Sequence, residues 1–146
     1  MGYPTKNIDK EIRDFLQQSN KIDLPEQQVI VREEGFPRKF PIIEVRLVRF
    51  NEEALNISQQ KVIYNLQIVV VAKMVRKPRE SYEKTVDLVD CIKVVLKDDL
   101  TVEGAFKDMN FGEVDFEAVT LQNESETVPF MRAFMNDIEC WRVEEI

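Results

Sequence analysis

The chain has 146 residues, 44% hydrophobic and 32% charged, with 20 basic against 27 acidic side chains and a formal net charge of −7. That size suits a single domain spanning 1–146 with a core of its own, and that balance excludes a disordered chain and disfavours general nucleic-acid binding through phosphate neutralisation. No run reaches the ~18–20 apolar residues of a membrane span. MGYPTKNIDKEI has no signal-type apolar segment, so a cytosolic protein without a membrane partner is expected.

Asn7 stands where it can cap a short helix with the apolar stripe Ile8, Ile12, Phe15 and Leu16, ending near Ser19 and before Pro25. Gln28 to Glu33 reads as a short strand, broken by Glu34-Gly35-Phe36-Pro37. Phe40 to Phe50 reads as the next, with Ile43, Val45 and Leu47 alternating against Glu44, Arg46 and Val48. Asn51 to Gln60 is polar and is expected to be an exposed loop or flared hairpin tip, mobile until it docks. Val62 to Val75 is rich in β-branched residues. Val62, Tyr64, Leu66, Ile68, Val70, Ala72 and Met74 share one face, and Val69 and Val71 lie on the other. Its length, roughly 45 Å, predicts a bulge or bend.

Pro78 ends that run. Ser81 then reads as the N-cap of a helix over 81–97, with the buried stripe Thr85, Leu88, Val89, Ile92, Val95 and Leu96. Asp98 to Asn110 is a connection with room for a short strand near Val102 and Phe106. Phe111 to Leu121 alternates as a strand, 122–126 is a turn, and Phe130 to Val143 is the closing strand. Its Phe130, Phe134, Ile138 and Cys140 are expected on one side, and Met131, Met135, Trp141 and Val143 on the other. The order α-β-β-β-α-β-β predicts an α+β domain with a mostly antiparallel sheet of about five strands and two helices.

Two helices cover one sheet face and little of the other, yet 62–75 and 130–143 carry apolar residues on both. Either the sheet curls on itself or another subunit covers it. Trp141, Met131 and Met135, with Val69 and Val71, are the expected interface residues, since aromatics and methionine are enriched in interface cores. Arg76-Lys77-Pro78-Arg79 forms a basic turn suited to an acidic neighbour or to passing DNA, and Arg38-Lys39 is a smaller cluster.

Chemistry has little to stand on. There is no histidine and no glycine-rich phosphate loop, and the serines sit in turn or cap contexts. Cys91 and Cys140 read as small buried residues in a reducing compartment. Glu44 with Glu33, Glu34 and Arg46 is the best imitation of a Mg²⁺ nuclease site, and Asp87, Asp90, Asp98 and Asp99 of a cation site; solvated carboxylates explain both sets better. No catalytic residue, cofactor, metal or small-molecule substrate is expected.

With the layout assembled, the chain resembles the tail terminator, or tail completion, proteins of long-tailed bacteriophages. The likeness lies in the N-terminal helix, a hairpin and the long strand VIYNLQIVVVAKMV, followed by the helix TVDLVDCIKVVL and closing strands ending MRAFMNDIECWRVEEI. It implies a non-enzymatic virion protein, assembled in the host cytoplasm, whose copies close into a hexameric ring at the tail–head junction. There it would cap the tail tube protein and meet the head completion (connector) protein, with phage DNA passing nearby. The competing expectation is a small acidic dimeric chaperone or adaptor that binds a peptide segment.

Overall fold

The long apolar run forms the central strand of the sheet. In the computed structural model, which describes residues 7–32, 39–73, 78–123 and 126–145, the elements are α1 (Ile8–Gln17), β1 (Val29–Val31), β2 (Ile42–Ala54), β3 (Gln59–Lys73), α2 (Pro78–Asp98), β4 (Asp108–Asn110), β5 (Val114–Asn123) and β6 (Glu126–Glu145). They make an α+β fold whose six-stranded sheet runs β1-β2-β3-β6-β4, with β5 also on β6. Every pairing is antiparallel except β1 on β2.

Alternation along β3 sets the two faces. Val62, Tyr64, Leu66, Ile68 and Val70 are at most 1% exposed and join the main core. Ile8, Ile12 and Leu16 of α1 and Leu88, Val89, Ile92, Val95 and Leu96 of α2 pack into the same core, so both helices lie on that face. Each side chain so buried contributes roughly 1.5–3 kcal/mol relative to exposure.

The expected irregularity is present twice. The β2–β3 register shifts between Leu47 and Arg49, and the β3–β6 register shifts between Leu66 and Ile68. In the second shift Leu66 faces Ile138 and Ile68 faces Met135, which leaves Asn136 and Asp137 to the bulge. Asp137 sits at φ 51, a left-handed conformation that Asp tolerates better than most residues. Gly112 backs this bulge: a Cβ there would lie 2.6 Å from Asp137 Cβ and 2.7 Å from the Asn136 carbonyl oxygen.

Several boundaries differ from expectation. Residues 51–60 are the expected hairpin tip and not a loop; β2 and β3 stay paired out to Ala54–Gln60, and Asn56 organises the turn by accepting from the Ser58 and Gln59 N–H groups, both at 2.9 Å. Cross-strand pairing overrides the poor strand propensity of Asn, Glu and Gln. The second helix starts at Pro78, a residue suited to a helix's first turn, and Ser81 lies inside it, donating its hydroxyl to the Lys73 carbonyl at 3.1 Å. Asn7 does precede α1, but its side chain makes no capping hydrogen bond. The 98–110 connection is a turn through Val102 and Phe106, with its strand, β4, later than expected at Asp108–Asn110.

Candidate functional site

The apolar residues expected to form one interface are dispersed by the fold. Met135 is 2% exposed in the main core, on the helix-bearing face and not opposite it. The bulge at Asn136–Asp137 causes this: upstream, Ala133 and Met135 face the helices, and downstream Ile138 and Cys140 do. A plain period of two cannot foresee such a change of phase. Met131, opposite Ala72, is half-buried. Val69 (1% exposed) and Val71 (7%) are on the helix-free face as expected, but this chain buries them itself, with Ile30, Ile42 and Phe130 and flanked by Phe40 and Phe134. Trp141 lies toward the far end of that face, beside Ile63, with the Lys61 ammonium 4.5 Å from its ring centroid.

Between these two ends a polar belt crosses the helix-free face. Glu44, 2% exposed, is paired with Arg46; the Arg46 guanidinium donates to Gln67 at 3.3 Å. Gln67 donates to Asn136 at 2.8 Å, and Asn136 donates to Asp115 at 2.8 Å. Side chains from β2, β3, β6 and β5 are thus tied in one line. Glu44, the carboxylate nearest to a nuclease arrangement, is spent on this belt, while Glu33 and Glu34 lie outside the described residues.

Of the basic turn, Arg76 and Lys77 lie outside the described residues, as does Arg38. Arg79 is in the first turn of α2 with its side chain 88% exposed, 3.1 Å from Glu83. Asp98 is paired with Lys21, and Asp99 accepts from the Thr101 hydroxyl and from the Thr101 and Glu103 N–H groups. Those donors hold the Asp99 carboxyl below its ordinary 3.8, the Thr101 hydroxyl most of all. Asp87 and Asp90 are exposed on α2. Among the described residues no group of three or more acidic or thiol side chains is arranged to hold a metal, and no helix is long and apolar enough to cross a membrane.

Of three surface features, the first enlarges the hairpin tip expected at 51–60 and the other two had no counterpart in the sequence. The β2–β3 hairpin extends as an arm carrying Val48 (53% exposed), Phe50 (48%), Leu55 (53%) and Ile57 (99%). An exposed isoleucine at a hydrogen-bonded turn was foreshadowed only by Asn56-Ile57-Ser58, where Asn can fix a turn through its side chain. A cleft of about 970 Å³ opens between α1, the 102–107 turn and the end of β6. At its wall, the guanidinium of buried Arg142 is held by Glu144 at 2.9 Å and Glu11 at 3.6 Å, and lies 5.5 Å from the Tyr64 ring and 5.8 Å from that of Phe106. Cys140 beside it has its thiol pushed up to about 12, chiefly by burial, so it stays neutral. The third feature is a pair of bare strand edges: β1 covers β2 only at Ile43–Val45, and among the described residues the outer side of β5 pairs with nothing.

Compared with protein-family models and with curated proteins, the chain finds no match among either.

Proposed function

We propose that this is a structural virion-assembly protein of a phage or prophage, a tail terminator whose copies form a ring on the tail tube and join it to the head connector. The observation that carries this reading is the set of exposed apolar side chains at the arm end of the sheet, Val48, Phe50, Leu55 and Ile57 on the arm and Val143 (38% exposed) near Trp141, while Tyr82, Val94 and Phe116 are exposed elsewhere. Apolar side chains held out by a hydrogen-bonded hairpin gain nothing in water and gain burial on contact with a partner. Paired Glu44 and Arg46, the Asn56 turn and the Asp99 turn are scaffold, and the ring requires no reacting group.

The test is a light-scattering mass across concentration, alone and with the tail tube protein of the same gene neighbourhood. A six-subunit mass, together with tube polymerisation that stops when the protein is added, is the expected result. A mass of two subunits with binding to unfolded peptides would favour the adaptor instead. Replacing Leu55–Gln59 by Asn-Gly keeps the Ala54–Gln60 pair and should leave the fold intact and abolish tail–head joining in an assembly assay.

A further inference from the structure

Among the described residues, two strands keep an unpaired edge, and they flank the sheet on opposite sides. Beyond Val45, nothing among the described residues pairs with the outer side of β2 through Ala54. Across the sheet, β5 pairs with β6 by one edge, and among the described residues nothing pairs with the other over Val114–Asn123. Such rows of N–H and C=O groups template pairing with another strand, and proteins blunt them with lysine, proline or bulges. Neither strand contains Lys or Pro, and only β2 carries an irregularity, next to Val48.

We propose that the β2 edge of one copy pairs with the β5 edge of the next, joining copies head to tail in one continuous sheet. This rests on the self-association reading above and names the surface through which it occurs. Strand direction favours it: β2, β3, β6 and β5 alternate, so β2 and β5 run oppositely. A rotation that preserves strand direction from copy to copy therefore brings them together antiparallel, and a heterologous contact of this kind closes into a ring where the rotation allows.

Side-chain parity selects a register. Phe50, opposite Tyr64, and Phe116, opposite Ala133, lie on the helix-bearing face, 48% and 37% exposed. Setting Phe50 across from Phe116 of the next copy joins two exposed aromatics. The same register sets Arg49 across from Glu117 on the helix-free face. Among the described residues Arg49, which is exposed, has no acidic partner, and Glu117, also exposed, is paired with Arg132 of its own chain and with no other cation. The ladder would run to Glu52 opposite Val114 and stop before Glu53 meets Glu113.

In a Cys91→Ser background, Phe50→Cys combined with Phe116→Cys should give, on oxidation, a ladder of cross-linked species ending at the ring size. Either single cysteine alone should give none. Dimers from a single-cysteine variant would mean a two-fold edge contact and overturn the proposal. A double variant with ring mass but no cross-link would overturn the edge pairing and leave the ring standing; a monomeric wild-type chain at every concentration would sink both. Because Phe50 packs near Tyr64, a charge swap provides a second reading. Arg49→Glu or Glu117→Arg should each weaken association about tenfold, and both together should restore it to within about threefold. A double variant no better than the singles overturns the register.

Discussion

The two ends of the helix-free sheet face differ in a way that apolar content does not predict. At one end Ile30, Ile42, Val69, Val71 and Phe130 form a small second core without help from either helix. At the other, Ile63 and Trp141 are only half-buried and Val143 is exposed, beside an arm bearing Phe50, Leu55 and Ile57. Both ends are built of alternating β-formers. What separates them is cover: β1 and Phe40 bring apolar side chains to the first, and nothing among the described residues does so for the second. An unhelixed apolar face is therefore not by itself a docking surface.

Breaking the closed end should cost the most. Phe130→Ala removes a ring that lies 4.9 Å from that of Phe40 and fills the second core, for an expected loss of about 3–4 kcal/mol. Trp141→Ala, at the open end, should cost the isolated chain no more than about half of that. Urea midpoints of the two variants at a concentration where the chain is monomeric make the comparison, and equal losses would erase it.

The belt between the ends comes next. Arg46→Ala leaves the buried Glu44 carboxylate without its cation, which should cost about 2–3 kcal/mol, whereas Glu44→Leu with Arg46→Leu should recover most of the loss. A double variant as unstable as the single would mean that the belt matters for more than charge compensation. Gly112→Ala should cost about 1–2 kcal/mol, since its Cβ would press on the Asp137 Cβ and the Asn136 carbonyl. An unchanged midpoint would mean the bulge yields freely, and with it the phase change that turns Met135 inward.

Legibility in the sequence followed the range of the forces involved. The faces of β3 and the stripe of α2 are local periodicities, and Val62 to Val70 and Thr85 to Leu96 revealed them directly. Met135 misled because a bulge backed by Gly112, more than twenty residues earlier, shifts the period of β6. The hairpin tip was legible but its regular pairing was not, since Asn51 to Ala54 have poor strand propensity and owe their extended form to partners across the hairpin. Val69 and Val71 were placed on the right face, but their cover comes from β1 and from Phe130, a long-range packing fact that no local pattern carries.

The smallest effect concerns pH, and it sharpens the contrast by acting at one end only. Asp99 ties the turn that carries Val102 and Phe106 into the core near Tyr64, using the Thr101 hydroxyl and the Thr101 and Glu103 N–H groups. These donors favour the ionised form, so the folded carboxyl titrates below its ordinary 3.8. A group depressed on folding contributes stability that is fully present above its unfolded value and is lost as pH falls through the folded one. Between neutrality and about pH 5 the turn should be indifferent to this group. Below 3.8, amide exchange at 101–106 should accelerate relative to Val69–Val71 at the closed end, and Asp99→Asn should remove that differential. Equal acceleration at both ends in acid would assign the loss to the fold as a whole and not to this turn.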